Sequence, residues 1–263
     1  MKVLAIPVVA MILSFGLWIL PAHADRNTIR NLADQAVLVH RITKSVCLMF
    51  VGAETPVHER DVITSSETLT TLSAWLAMEP DTVAPMITEL ETYTRSARQI
   101  AAGDRHTVPV ALLLQSNPHL AALYRERWQT APSDVRADHR PSYTLVQDLR
   151  VASQAFQRDL CLFLTGLTSE GANQTLADEI VAFSNALDAL VDGDGEAGIV
   201  PAPNIHIKIT IAKVASKWKT LEPILSRAAA GEPVDPRDAQ LASVLGDAIL
   251  VNLNEISDRF LQL

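Results

Sequence analysis

The sequence is poor in glycine and in cysteine. Of its 263 residues 10 are Gly and 2 are Cys, and aromatic side chains make up 5%. GxxxxGK[ST] does not occur, so the phosphate-binding P-loop of the common nucleotide-binding proteins is missing. GxSxG, HExxH and HxH motifs are also missing from the chain after its leader, and no nucleophile, base and orienting group can be named together. The sequence therefore predicts a protein that is not an enzyme and has no metal or cofactor.

Clusters of basic residues are also absent. The formal net charge is -8, and no run of five or more Lys and Arg residues occurs, so we expect no binding to nucleic acid or to an anionic membrane surface. The composition is 48% hydrophobic and 20% charged. These values exclude collagen-like, low-complexity and wholly disordered chains and allow a buried core.

The first 24 residues have the pattern of an export signal. Met1 and Lys2 precede an apolar run, Val3–Leu20, and the segment Pro21–Ala24 ends in an Ala-x-Ala cleavage site. This pattern predicts a signal peptide over residues 1–24 and a soluble periplasmic protein after its removal. A membrane anchor is the alternative, because about 18 apolar residues are the lower edge of a spanning helix. No later run is long and apolar enough to span a bilayer, so we expect no stable membrane insertion after cleavage.

The remaining chain contains a degenerate repeat. Cys47–Gly52 (CLMFVG) matches Cys161–Gly166 (CLFLTG) at a shift of 114 residues, and Ala101–Asp104 matches Ala229–Glu232 at a shift of 128. The second copy has therefore gained about 14 residues, for which the Gly-rich segment Val191–Gly198 is the candidate. Chance similarity between amphipathic helices is the alternative. The predicted organisation is a first repeat over 25–131, a linker over 132–141 and a second repeat over 142–263.

Each copy has the apolar spacing of helices, with turn residues between them. Only Ile205–Ile211 alternates as a strand would, and we predict that it begins a long helix because residues 212–221 continue without a breaker. Ser142 and Asp235 are predicted N-caps, and Trp75, Trp128 and Trp218 are predicted core residues. The predicted fold is all-α, with two tandem four-helix bundles whose helices lie near 27–52, 58–78, 82–103 and 108–129, and near 142–168, 172–191, 204–230 and 236–262.

The first helix of the second copy carries a polar stripe. Its members are spaced 3, 1, 4 and 3 residues apart, which places them on one side of a helix; they are Arg150, Ser153, Gln154, Arg158 and Cys161. The matching stripe of the first copy, with Arg41 on its flank, is less polar and consists of Ala36, Val39, His40, Lys44 and Cys47.

These two helices resemble the first helix of a family of periplasmic sensor domains, in which the motif Gln-Arg-Met-Leu-Ser-Gln-Arg-Met-Ala-Lys occurs. Residues 35–44 match its first Gln, its Leu, its second Arg and its Lys, and residues 149–158 match its first Arg, its Ser and its second Gln. The family is that of the type IV pili methyl-accepting chemotaxis transducers (PilJ-type), related to nitrate/nitrite sensors of the NarX type. The resemblance covers most of 27–129 and 142–263, with its motif confined to the two first helices.

The resemblance implies a ligand site between the two first helices. In the nitrate sensors the first Arg of each subunit meets the anion, and Arg150 holds that position in the second copy while Ala36 holds it in the first. The tandem copies would then form a pseudo-dimer with one Arg in place of two. The candidate ligand-binding residues are Gln35, Arg41, Lys44, Arg150, Ser153, Gln154 and Arg158, and the alternative for the cations is an ordinary exposed helix surface with local ion pairs.

Cys47 and Cys161 occupy equivalent positions of the two copies. If the first helices of the pseudo-dimer pack in parallel, these positions come within reach of a disulfide in the oxidising periplasm. Two buried thiols, or pairing between molecules, are the alternatives.

The function predicted from this resemblance is a periplasmic ligand-binding or sensory module. It would bind a small anion or another small ligand between its repeats and pass the signal to a separate membrane receptor or transporter component. The alternative is a structural or protein-interaction module that has lost the ligand, which Ala36 favours.

Overall fold

A computed structural model describes residues 28–52, 55–74, 80–131, 133, 135–168 and 171–263, with the side chains of 55 and 80–85 left aside. The proposed signal peptide over 1–24 and Trp75 lie outside the described residues. The all-α prediction is confirmed. The described helices are α1 (Thr28–Phe50), α2 (Thr55–Ser73), α3 (Pro80–Ala101), α4 (Thr107–Thr130), α5 (Arg140–Thr165), α6 (Ala172–Asp192), α7 (Ile205–Ala229) and α8 (Pro236–Phe260).

The helix boundaries follow the register of the repeat. Shifted by 114 positions, α1 would cover 142–164, where α5 lies, and shifted by 128 positions α3 would end at residue 229, where α7 ends. The alternating segment from Ile205 is helical, as predicted, because the side chain of Asn204 accepts a hydrogen bond of 3.0 Å from the backbone N–H of Ile207 and caps α7. The connection after α6 is the long one, and within it Asp194 and Ile199 form an isolated antiparallel bridge.

The start of α5 differs from the prediction. α5 begins at Arg140, so the connection between α4 and α5 ends two residues earlier than the predicted linker. Pro141 fits this first turn because a helix has no partner for the N–H group there. Ser142 is consequently not the N-cap, and its hydroxyl instead exchanges hydrogen bonds with the backbone C=O (3.1 Å) and N–H (3.0 Å) of Val200. The predicted cap Asp235 is confirmed, with its carboxylate 2.7 Å from the N–H of Arg237.

The helices of each half contact their neighbours in chain order. α1 packs on α2 and α4, α3 packs on both of these, and α5, α6, α7 and α8 repeat the pattern. The most extensive contact joins the halves through α1 and α5. Trp128 and Trp218 are buried, as predicted, and the Trp218 ring lies 4.3 Å from that of Phe183 between centroids. The description as two tandem bundles related as a pseudo-dimer stays a prediction.

α1 and α5 run parallel and in register. Contacts between them join residues separated by 113 to 118 positions, from Asp34 to Cys47 of α1, which an antiparallel pair cannot do. Near the C-terminal ends, Cys47 and Cys161 have their sulfur atoms at bonding distance and their Cα atoms 6.1 Å apart. The predicted cysteine pairing is thus supported by the geometry. Among the described helices, none is both long and apolar enough to cross a membrane.

Candidate functional site

The interface of α1 and α5 with the flanking helices α4 and α8 contains a series of buried polar contacts, the first of which is centred on Arg150. Arg150 is 2% exposed. Its Nε donates to Asn254 Oδ1 at 2.6 Å, Nη1 donates to Gln147 Oε1, and Nη2 is ion-paired with Asp34 on α1. Burial of an Arg is tolerated where protein acceptors satisfy the charge. A ligand at Arg150 would therefore have to displace Asp34, which the sequence comparison with the sensor family did not indicate.

The second contact is centred on Lys44. Its ammonium group donates to Gln157 Oε1 at 3.0 Å and to Asp247 Oδ1 on α8 at 3.0 Å. Asp247 also accepts a bond of 3.1 Å from Gln154 Nε2. Lys44 and Gln154, both predicted to bind a ligand, thus share one protein carboxylate. The hydroxyl of Ser153 is also occupied, since it donates to the backbone oxygen of Arg150 at 2.7 Å.

The third contact is centred on Arg158. Its Nη1 lies 2.8 Å from His40 Nδ1 and 2.7 Å from Asn117 Oδ1 on α4, and its Nε donates to Asp159 Oδ1 at 2.7 Å. The amide of Asn117 is oriented by a second bond of 2.9 Å to the hydroxyl of Thr43. Burial and the nearby guanidinium hold the pKa of His40 well below its usual value, so the imidazole is neutral and its Nδ1 accepts.

Lys44 and Arg158 are equivalent positions of the repeat, and their contacts are equivalent too. Lys44, on the first helix of the first half, reaches α8 of the second half, while Arg158, on the first helix of the second half, reaches α4 of the first. The two cations therefore cross the interface in opposite directions. This exchange is what a twofold arrangement of the repeats would produce.

Gln35 and Arg41 contact α2, and their predicted role as ligand-binding residues stays a prediction. Gln35 is buried and accepts a bond of 2.5 Å from the hydroxyl of Ser73 on α2. Arg41 donates from Nε to Asp61 on α2 at 2.9 Å, and Ser45 donates to the same carboxylate at 2.6 Å. The reason is helical phase: one position is about 100° of rotation, so the residue after His40 faces α2.

A cavity of about 570 Å³ opens between the halves beside Arg158. Its walls come from α1 and α4 of the first half and from α5 and α6 of the second, and its lining includes Arg158 but not Arg150. The volume lies within the range of roughly 300–1,000 Å³ typical of small-molecule sites. The apolar part of the wall is formed by Leu114, Leu162, Phe163 and Leu176, and the charged part by Arg125, Arg158, Asp159 and Glu179.

The two carboxyl groups of the cavity are harder to ionise than usual. Burial raises the pKa of Asp159, which Arg158 partly offsets. Burial also raises the pKa of Glu179, and the neighbouring charge of Asp159 adds to this. A carboxylate in such surroundings is stabilised by any cation that approaches it. The cavity therefore combines an apolar surface with charged groups of both signs, which suits an organic ligand better than a bare inorganic anion.

Sequence reasoning missed Arg125, Asn117 and Glu179. Arg125 and Asn117 belong to α4 and Glu179 to α6, whereas the family motif covers only the first helices. The signal that was available is the polar face of α4, in which Asn117 precedes a proline within the helix. Pro118 has no N–H group, so the carbonyl oxygen of Leu114, on the cavity wall, loses its helical partner.

Comparisons with protein-family models, with curated proteins and with solved structures find no match to this chain. The described residues contain no group of three or more His, Cys, Asp or Glu side chains placed to hold a metal ion.

Proposed function

We propose that the protein is a periplasmic ligand-binding module that takes up a small organic molecule in the cavity between its two halves. The observation that carries this proposal is the cavity itself, with walls from four helices, two of each half. A ligand there contacts both halves at once, so binding changes the free energy of their association. The change would be passed to a separate membrane receptor or transporter component, and no catalytic step is involved.

The position of the proposed site differs from that implied by the family resemblance. Arg150 is buried and paired with Asp34, whereas Arg158 lies on the cavity wall. Of the residues that the sequence singled out, Arg158 thus supports the ligand site, and Arg150, Lys44 and Gln154 belong to the polar network at the interface between the halves, while Ser153 bonds the backbone of its own helix. We interpret these halves as two four-helix bundles related as a pseudo-dimer.

A second function is favoured by the occupied Arg150. A module that has replaced an anion by Asp34 as the partner of this Arg has no further need of a ligand there. Such a protein would act as a structural or interaction module. Exposed apolar side chains of α8, with Val244 64% and Val251 65% exposed, would then be part of its contact surface.

Thermal unfolding with a panel of small anions, amines and amino acids tests the ligand-binding function. A compound present at 100 times its Kd should stabilise the protein by about 2.7 kcal/mol. Ala121→Trp, which places a large ring on the cavity wall, should abolish the shift, and Ala111→Trp on the same helix, where the side chain is exposed, should preserve it. Stabilisation that survives Ala121→Trp, or no stabilisation by any compound, would contradict the proposal.

Arg150→Ala separates the two possible ligand positions. Because Arg150 is not on the cavity wall, the variant should unfold more easily, leaving Asp34 without its partner, and still bind a cavity ligand. Loss of ligand binding with an intact fold would instead show that the ligand binds at Arg150.

The proposed location has its own test. Protein recovered from the periplasmic fraction should begin at Asp25, as N-terminal sequencing or intact mass would show. A chain that retains Val3–Leu20 would instead support the membrane anchor.

A further inference from the structure

Two charged groups of opposite sign on the cavity wall form no hydrogen bond with another described side chain, and they belong to different halves. Arg125 lies on α4 of the first half and Glu179 on α6 of the second. The other charged pair of the cavity, Arg158 and Asp159, is internally compensated, with their atoms 2.5 Å apart in the ion pair.

The guanidinium of Arg125 has N–H groups that donate no hydrogen bond to a described residue. Its ion partner is Asp148, with 3.7 Å between Nε and Oδ1, which is too long for a hydrogen bond. Its side chain is 52% exposed, and the described part of the chain offers its guanidinium no hydrogen bond. A planar guanidinium with free N–H groups binds a carboxylate through two parallel hydrogen bonds.

The carboxylate oxygens of Glu179 accept no hydrogen bond from a described side chain. It is half-buried, and no described side chain forms a hydrogen bond or an ion pair with it. The charge of Asp159 repels it, and the charges of Arg158 and Arg125 attract it, although neither forms an ion pair with it. An ammonium group brought to this wall would relieve both effects, because an opposite charge stabilises a desolvated carboxylate.

We propose that the cavity binds a zwitterion with an apolar group, such as an amino acid with a hydrophobic side chain. Its carboxylate pairs with Arg125, its ammonium group pairs with Glu179, and its side chain packs on Leu114, Leu162, Phe163 and Leu176. The inference rests on the proposed function and specifies the ligand class. It departs from the anion implied by the family resemblance, because a carboxylate without a partner disfavours a simple anion.

The arrangement also gives the ligand a mechanical role. The carboxylate is held by the first half and the ammonium group by the second, so only a ligand with both charges connects the halves through its polar ends. A ligand with one charge leaves either Arg125 or Glu179 without a hydrogen-bond partner in the cavity.

Isothermal titration of the full mature protein with matched compounds tests this inference. One set is L-phenylalanine, 2-phenylethylamine and 3-phenylpropanoate, and the other is L-leucine, 3-methylbutylamine and 4-methylpentanoate. In at least one set the amino acid should bind at least tenfold more tightly than the amine or the acid, since each lacks one of the two charged contacts.

Two variants assign the contacts. Arg125→Gln should weaken binding of the amino acid at least tenfold and leave the affinity for the amine unchanged, and Glu179→Gln should do the same while sparing the acid. Arg95→Gln and Glu126→Gln change exposed residues outside the cavity and should leave all affinities unchanged. These substitutions neutralise partly or fully exposed groups, so folding is preserved and can be verified by circular dichroism.

Each contrary outcome has a distinct meaning. Equal affinities for the amino acid, amine and acid would overturn the zwitterion and leave the cavity as an apolar site. Binding of some other compound of the thermal panel, with neither amino acid bound, would overturn the ligand class and keep the proposed function. No binding by any compound would overturn both.

Discussion

At the scale of single residues, Gly246 shows how closely α8 packs against α5 beside the polar interface. A Cβ at this position would lie 2.2 Å from Gln157 Nε2 and 2.8 Å from its Cγ. Gln157 cannot move freely, because it is 3% exposed, accepts from Lys44 and donates to the backbone oxygen of Ser153 at 2.9 Å. We expect Gly246→Ala to lower the free energy of unfolding by about 1–3 kcal/mol, as overpacking does, measured by urea denaturation.

The effect of Gly246→Ala on the free energy of unfolding should change sign when the Gln157 side chain is removed. In a Gln157→Ala background the clash is absent, and Gly246→Ala should then stabilise the protein by up to about 1 kcal/mol through helix propensity. Gly195→Ala, where nothing lies within 4 Å of the new Cβ, is the control and should have little effect in either background. The same loss of stability with and without Gln157 would contradict this account.

The sequence predicts which residues lie near the interface better than it predicts the partners that their side chains contact. The family resemblance placed Arg150, Lys44 and Arg158 between the first helices, and each of them contacts a residue of the other half there. It could not show that Asp34 and Asp247 are their partners, since those contacts depend on which helix packs where. Arg41 was placed in the motif by matching sequence, but a rotation of one position turns it to Asp61 on α2.

At the scale of helices, the contact of α4 with α5 contains a carboxyl group that titrates abnormally. Burial raises the pKa of Asp148 to about 6, which Arg125 only partly offsets. In an unfolded chain an Asp titrates near 3.9, so between about pH 4 and 6 the folded protein binds one more proton than the unfolded one. Its contribution to the free energy of unfolding therefore falls as the pH rises through this window, and the loss is complete above about pH 6.

Asp148→Asn isolates this contribution. The side chain is 37% exposed, so we expect an effect on the order of 1 kcal/mol after allowance for solvent screening. The difference in stability between the variant and the wild type should change by that amount between pH 4 and pH 6.5, in favour of the variant at the higher pH. Denaturation at several pH values measures it, and a difference that does not vary with pH would show that Asp148 titrates normally.

Helix positions were predictable because apolar periodicity and breakers act locally. The ends of the helices depend on caps, and here prediction was uneven: Asp235 caps α8, while Ser142 binds Val200, a residue 58 positions away. The cavity was not predictable at all, because its walls combine four helices whose packing is a property of the whole chain.

At the scale of the whole molecule, the Cys47–Cys161 pair closes a loop of 114 residues across the interface of the halves. In the chain-entropy model a loop of this length stabilises the folded state by about 4–5 kcal/mol. We expect the double variant Cys47→Ser, Cys161→Ser to lose about that much, measured by denaturation in guanidinium chloride. Wild-type protein under reducing conditions should lose a similar amount.

Thiol titration of the denatured protein tests independently whether Cys47 and Cys161 are paired. Material purified without reductant should contain no free thiol, whereas two thiols per chain would show that the cysteines are unpaired. The equivalence of the two cysteines in the repeat was visible in the sequence, but the parallel register of α1 and α5 that brings them together was visible only as an implication of the family resemblance.

The ion pair between Arg30 near the start of α1 and Asp258 near the end of α8 brings the two chain ends of the helical region side by side. The break between α4 and α5 lies at the corresponding place of the repeat. A circularly permuted chain that starts at α5 and runs from α8 through a short connector into α1 would therefore keep every contact between helices. The fold consequently does not depend on which of the two copies is synthesised first.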